Sequence, residues 1–252
     1  ACGFFKTCQS PKMPVSGSGN RGILVLGEFP SQDEDSKGLA FVGDSGAFLE
    51  KELRAVGINL REDCWSSHSM ICHPTKMAAA SAAVDHCRPN VFRLINELKP
   101  RVIILLGQFA VSSVLGRIWK GAGSIDRWVG WKIPAHNPNA WVCPVMSPMN
   151  VMREKGGGAL VHFRKHLKAI SKLDGRPWRE IPEYDKQIEC IHDTAKASRI
   201  IRQMIQKGGI VAFDYETNML KPDSGQAQIA CASVCWMGKR TIAFPWQGEV
   251  VD

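Results

Sequence analysis

The sequence predicts an α/β fold, a parallel sheet flanked by helices, followed by a smaller region of strands. Two continuous apolar runs carry that expectation: Ile23-Leu24-Val25-Leu26-Gly27 and Val102-Ile103-Ile104-Leu105-Leu106-Gly107. Runs without polar alternation, each closed by Gly, suit strands buried on both faces. Around them lie stretches with apolar residues at helical spacing, and strand–helix alternation points to a parallel sheet.

After the first strand, Asp44 or Ser45 is expected to cap a helix carrying Phe48, Leu49, Leu53 and Val56 on one face. Residues 84–98 predict a second helix, with Val91, Leu94, Ile95 and Leu98 at helical spacing and Pro89 near its first turns, where proline is better tolerated. The run at 102–107 is a strand, and 108–115 a helix of small residues. Residues 120–142 are rich in Gly, Trp, Pro and Asn and predict loops around a short strand at Trp131–Ile133. A strand at Trp141–Val145 and a helix from about Leu160 to Leu173 follow. Residues 174–186 mix turn formers with charges and predict a linker between a first domain, 1–173, and a second, 187–252. There Asp193 caps a helix that ends at Gly208-Gly209, and strands follow at Ile210–Phe213, Gln228–Trp236 and Arg240–Phe244, with Gly238 as a hairpin turn.

Composition is that of a soluble globular protein, with 44% hydrophobic and 22% charged residues. No stretch is long and apolar enough to predict a membrane span, and a cytoplasmic location (host cytoplasm for a viral chain) is expected. A net charge of +8 favours an acidic partner, nucleic acid first. Nine cysteines do not suggest a secreted disulfide framework. Cys64, Cys143, Cys190, Cys231 and Cys235 stand in apolar or strand-like contexts. Cys2, Cys8, Cys72 and Cys87 stand apart, and four thiolates suit either an iron–sulfur cubane or a structural zinc. Spacing alone does not choose between them.

The segment Gly27-Glu28-Phe29-Pro30-Ser31-Gln32-Asp33-Glu34-Asp35, with Gly38-Leu39-Ala40-Phe41-Val42-Gly43, resembles the first active-site motif of the family-4 uracil-DNA glycosylases. Cys72, Cys87-Arg88-Pro89, the stretch Leu98–Gly107 and Pro144-Val145-Met146-Ser147-Pro148 with Met152-Arg153 continue the likeness in order over roughly residues 1–173. The resemblance implies a uracil-DNA-glycosylase-like fold, a [4Fe–4S] cluster on Cys2, Cys8, Cys72 and Cys87, and DNA as partner. It also implies a pocket for a flipped base. In that pocket Phe41, with Phe29 beside it, meets the base, Glu28 assists water at the sugar, and Met149, Met152 and Arg153 meet the DNA groove. On the residues alone, Phe41 also reads as a core aromatic, Glu28 as a loop acid or cap, and His68 as a satisfied polar group.

Several positions depart from the family pattern. His68 stands where the family has Asn, Ser147 where it has the His of the closing motif, and Phe29 and Ser31 where it has Gly. Losing one donor aimed at developing charge costs on the order of 10²–10³ in rate. These departures lead to an expectation of a DNA-binding module with weak or lost glycosylase activity, the alternative being a working glycosylase for uracil or another deaminated base, with Glu28, His68 and Ser147 in altered roles.

Farther on, Phe213-Asp214-Tyr215-Glu216 places two carboxylates two residues apart on a strand, on one face, as a two-cation site for phosphodiester hydrolysis requires. The segment resembles the first motif of DnaQ-like 3′–5′ exonucleases. That likeness implies Mg²⁺ or Mn²⁺ at Asp214 and Glu216 in an intact exonuclease, the first strands of an RNase H-like domain here, and a downstream polymerase domain of phage family-A type.

Overall fold

The computed structural model describes residues 2–75, 80–181, 183–218, 228–237 and 240–250. The chain divides into two compact units, Ala1–Ile181 and Pro182–Asp252. The boundary falls inside the stretch predicted as a linker. Part of that stretch is nevertheless docked on the first unit: the Arg176 guanidinium donates to the carbonyls of Asn139 (2.7 Å) and Lys99 (2.6 Å), and the Trp178 indole to that of Pro134 (3.2 Å).

The first unit holds strands β1 (Ile23–Gly27), β2 (Cys64–His68), β3 (Val102–Leu106), β4 (Ile133–Ala135) and β5 (Ala140–Val145) in the order β2-β1-β3-β5-β4. β1 is parallel to β2 and β3, β3 is parallel to β5, and only β4 runs antiparallel, beside β5. The helices are α1 (Gln32–Lys37), α2 (Asp44–Arg54), α3 (Ala80–Leu98), α4 (Gln108–Ile118), α5 (Pro148–Arg153) and α6 (Gly158–Ser171).

Alternation along the strands divides the apolar runs between two faces. Val25, Ile104, Leu106 and Val145 join Leu49 and Leu53 of α2 and Phe163 and Leu167 of α6 in one buried cluster. Leu24, Leu26, Ile103, Leu105 and Val142 join Val91 and Ile95 of α3 and Val111, Val114 and Leu115 of α4 in the other. The helical layers on both faces are what make an unbroken hydrophobic strand stable here.

Four local expectations need correction. The residue that caps α2 is Gly43, at φ 104, while Asp44 is already helical. Pro89 is interior to α3, because the helix begins as early as Ala80. The short strand lies at Ile133–Ala135, because only those residues pair with β5, and Trp131 is left outside it, 63% exposed. The helix of small residues continues to Ile118. β2 has no apolar signature, since Ser66, Ser67 and His68 are buried polar residues. Gly238 lies outside the described residues.

In the second unit β6 (Ile188–Cys190), β7 (Val211–Thr217), β8 (Ile229–Trp236) and β9 (Arg240–Pro245) form a sheet in the order β6-β9-β8-β7. Helix α7 (Thr194–Lys207) packs Ala197, Ile200 and Met204 against Ala232, Val234, Ile242 and Phe244. All five cysteines assigned to strand-like contexts lie in strands. Burial pushes the thiols of Cys64 and Cys143 up to about 12, so these two are inert core residues. Among the described residues, no helix is long and apolar enough to cross a membrane.

Phe163 is fully buried and its ring lies 5.7 Å from that of Phe48, so it ties α6 to α2. Phe163→Ala is expected to lower the stability of the first unit by about 3–5 kcal/mol, measured by urea unfolding.

Candidate functional site

In the sheet order, β1 is followed in sequence by β2 on one side and in space by β3 on the other. Connections diverge at this point, and open α/β sheets bind ligands in the crevice beyond the strand C-termini there. A cavity of about 360 Å³ occupies that place. It draws Gly27 and Glu28 from the end of β1, His68 from β2, Leu106 from β3 and Ser147 from the turn after β5. Phe29, Phe41, Met149 and Arg153 also line it. Sequence positions far apart are thus brought together by strand register alone.

One side chain organises the cavity floor. Ser31 caps α1 through a capping box, its hydroxyl accepting from Glu34 N–H while its own N–H donates to Glu34 Oε2 at 2.6 Å. Glu34 Oε1 accepts from the backbone N–H of Phe41 and lies 3.0 Å from His68 Nε2. Burial works against ionising Glu34, but the contact with His68 and the two backbone donors together hold its carboxyl below the usual range. An ionised carboxylate only accepts, so His68 Nε2 carries the hydrogen. His68 Nδ1 is then buried and, among the described residues, has no partner.

Phe41 is held at φ 55, a left-handed conformation that strains a bulky residue. Arg61 fixes it there by donating to the carbonyls of Ala40 (2.9 Å) and Phe41 (2.6 Å). The Phe41 ring lies 4.9 Å from the His68 ring. Gly27 lets both approach, since a Cβ there would come within 2.4 Å of His68 Nδ1 and 3.1 Å of the Phe41 ring.

Glu28 is set against the N-terminus of α4. Phe109 N–H donates to Glu28 Oε1 at 3.1 Å, and Gln108 N–H also reaches the carboxylate. Gly107 permits this contact, because a Cβ there would fall 2.4 Å from Glu28 Cδ. Burial raises the Glu28 pKa above the ordinary carboxylate value, despite the opposing pull of these N–H groups, His68 and the Ser147 hydroxyl. Ser147 begins α5 without capping it, and its hydroxyl is turned to Glu28. Met149 and Met152, 38% and 43% exposed, lie with Arg153 on α5 at the mouth, although only Met149 and Arg153 line the cavity.

Phe29 packs on Phe109, with ring centroids 6.0 Å apart, and also touches a second cluster of buried residues containing Cys72 and Cys87, against which Cys2 and Cys8 pack. Cys8 contacts Cys72 and Cys2 contacts Cys87, while Cys72 feels the charges of both Cys2 and Cys87. Among the described residues, no three His, Cys, Asp or Glu side chains close around a single ion. Cys2, Cys8, Cys72 and Cys87 thus lie together, a set of four thiolates of the kind that an iron–sulfur cubane or a structural zinc uses. Lys12 N–H donates to Cys72 Sγ at 3.3 Å. Asp35 joins this region to the cavity, accepting from the N–H groups of Gln9 and Ser10, each at 2.8 Å, from the helix that also carries Glu34.

In the second unit Asp214 and Glu216 lie on β7, two residues apart and so on one face, the first exposed and the second likewise. The structure brings no third carboxylate to them among the described residues.

Glu34, Arg61, Gly107 and Phe109 are the site residues that sequence reasoning did not single out. Glu34 had a signal, the Ser31-x-x-Glu34 capping pattern. Gly107 was marked only as the end of an apolar run, and Arg61 and Phe109 had no signal, since these roles depend on tertiary contact.

Residues 14–171 match the family described as the uracil DNA glycosylase superfamily. The chain is similar to the type-4 uracil-DNA glycosylase of Archaeoglobus fulgidus, with 29% identity over 142 residues covering 50% of this chain and 68% of the relative. The type-4 enzyme of Pyrobaculum aerophilum is 31% identical over 104 residues, covering 41% of this chain and 53% of the relative. That of Thermotoga maritima is 34% identical over 137 residues, covering 50% and 69%. The matched stretches thus span from about half to about seven tenths of these relatives' own lengths.

Because ionising Glu28 costs more in the folded chain than in the unfolded one, its charge opposes folding. Stability contributed by the protonated acid is present at low pH and lost as pH rises from the ordinary carboxylate range through the raised pKa. Glu28→Gln is therefore expected to raise the melting temperature at pH 8 and leave it nearly unchanged at pH 4, as read by thermal unfolding at the two pH values.

Proposed function

The chain belongs to the uracil DNA glycosylase superfamily, and on that premise we propose that it takes a uracil-type base out of DNA and hydrolyses its N-glycosidic bond. The observation that carries this reading is the meeting of Glu28, Phe41 and His68 around one cavity of about 360 Å³ at the strand C-termini. A nucleobase is planar and needs an aromatic wall, an edge to pair with, and exclusion of bulk water. Phe41 supplies the wall. His68, held through Nε2 by Glu34, gives the cavity a polar imidazole floor beside the Phe41 ring.

Hydrolysis breaks the bond between C1′ and the base, and the bonding electron pair leaves with the base. Water adds to C1′ and loses a proton. Glu28 in its charged form stabilises the positive sugar and accepts that proton, as positioned carboxylates do. The N–H groups of Gln108 and Phe109 hold its carboxylate in place. Because burial raises the Glu28 pKa, excision is expected to fall as pH drops through a range above the ordinary carboxylate value.

A slower or lost reaction is the second reading, and Ser147 favours it. Its hydroxyl is engaged with Glu28, so no imidazole or free hydroxyl from that position meets the departing base. In that case the same pocket serves a DNA-binding module. Asp214 and Glu216, on one face of β7, then support a proofreading-type exonuclease fold in the second unit, with Mg²⁺ or Mn²⁺ as its ions and a polymerase as its partner domain.

The thiol set fits a [4Fe–4S] cluster, which Cys2, Cys8, Cys72 and Cys87 would hold. When bound, such a group supplies a covalent cross-link between the N-terminal segment and α3. Cys72→Ser is expected to remove the brown colour and most of the roughly four irons per chain from protein purified without oxygen, and to lower the melting temperature. A colourless wild-type protein containing zinc would contradict the assignment.

The function is tested with single-stranded and duplex oligonucleotides carrying one uracil, protein in excess, and alkaline cleavage of abasic sites. The proposal expects cleavage that Glu28→Gln slows by on the order of 10²-fold or more. Absence of abasic sites in the wild-type reaction would leave the second reading in its place.

A further inference from the structure

A second and larger cavity, about 510 Å³, lies at the opposite end of the sheet. Phe92 and Asn96 come from α3, Arg117 and Trp119 from the end of α4, and His136 and Asn137 from just beyond β4. β4 reaches its last residue, Ala135, opposite Ala140, where β5 begins, whereas the first cavity lies beyond the end of β5. The length of β5, on the order of 20 Å, therefore separates the two.

The chemistry of this cavity differs from that of the first. Trp119 stacks nearly parallel on Trp128, at 5.3 Å between ring centroids and 13° between planes. Trp128 is fixed by its own indole, which donates to the Ala122 carbonyl at 2.8 Å. With one face against Trp128, Trp119 is 40% exposed and lines the cavity. The Arg117 guanidinium lies over the Phe92 ring at 4.7 Å and, among the described residues, meets no carboxylate. Arg117 and Lys120 flank Trp119 in the sequence, and the nearby acid Asp126 is bonded to Ser124 Oγ at 3.0 Å.

We propose that this cavity and the tryptophan ledge beside it form a second nucleic-acid site, which takes unpaired nucleotides of single-stranded DNA. Interleaved aromatic faces and cations are the means by which proteins hold unpaired strands, the rings stacking on bases while the cations track phosphates. The amides of Asn96 and Asn137 offer a donor and an acceptor each to a base edge. A duplex offers phosphates but no free base face, so the aromatic contribution is specific to the single strand. An acidic peptide would satisfy the cations but leave the stacked indoles unused. This site does not depend on the first pocket excising a base.

The test uses the full chain and a fluorescein-labelled oligothymidine of about 16 nucleotides, with binding followed by anisotropy beside a duplex of the same length. Trp119→Ala and Arg117→Gln are each expected to weaken single-strand binding by roughly tenfold, with duplex binding, melting temperature and any uracil excision unchanged. Arg117 is exposed at the end of α4, so its variant keeps the test valid should Trp119→Ala unfold. Unchanged oligothymidine affinity in Arg117→Gln, with duplex affinity also unchanged, overturns the proposal. So does displacement of the strand by polyglutamate as readily as by unlabelled oligothymidine, or by thymidine monophosphate at matched nucleotide concentration. Failure of excision alone would refute the function proposed for the first pocket and leave this site untouched.

Discussion

The shape of the first cavity depends on one buried carboxylate. Glu34 receives hydrogen bonds from the Ser31 and Phe41 backbones and from His68, joining the start of α1, a strained turn and the end of β2. Two of these partners are backbone N–H donors, and with His68 they hold the Glu34 carboxyl below the usual range despite its burial. Protonation would release at least one donor into a region with little water, a cost that falls on the whole pocket. The same contact puts the hydrogen of His68 on Nε2 and leaves Nδ1 with no partner among the described residues.

Glu28 is the counterpart with the opposite sign. Its burial raises the pKa, and the helix N-terminus of α4 only partly offsets that cost. Two acids six residues apart are thus driven in opposite directions by their surroundings, one towards a permanent structural charge and the other towards a titratable group. Such separation is a mark of a functional site, where stability is given up for a poised group. Gly107 and Gly27 are the complementary requirement, since neither acid nor imidazole could reach its place beside a Cβ.

The sheet was legible in the sequence because Ile23–Gly27 and Val102–Leu106 are unbroken apolar runs, a pattern that survives only in strands covered on both faces. β2 was not legible, because Ser66, Ser67 and His68 are polar, and their burial depends on β1 and on the loop at Ser16, which pairs with Ser66. Pro89 pointed to a helix start, yet α3 carries it in its interior, so packing outweighs a local preference. At the site, Glu28, Phe41, His68 and Ser147 came from a likeness of motifs. The contact of Ser147 with Glu28 did not, because it requires the C-termini of β1 and β5 to be neighbours of β3. Turn formers and charges at 174–186 predict a linker, but those residues could not reveal that Arg176 and Trp178 are bound to the first unit.

The central claim is that Glu34 holds His68, with its hydrogen on Nε2, in the floor of a pocket that takes the base. It is tested most directly by nitrogen NMR of protein labelled at histidine, recorded with and without added uracil. The account requires the His68 hydrogen on Nε2 in the free protein and a displaced His68 ring resonance when uracil binds, with Glu34→Gln disturbing both. A hydrogen on Nδ1 in the free protein, or a His68 signal indifferent to saturating uracil, would contradict it.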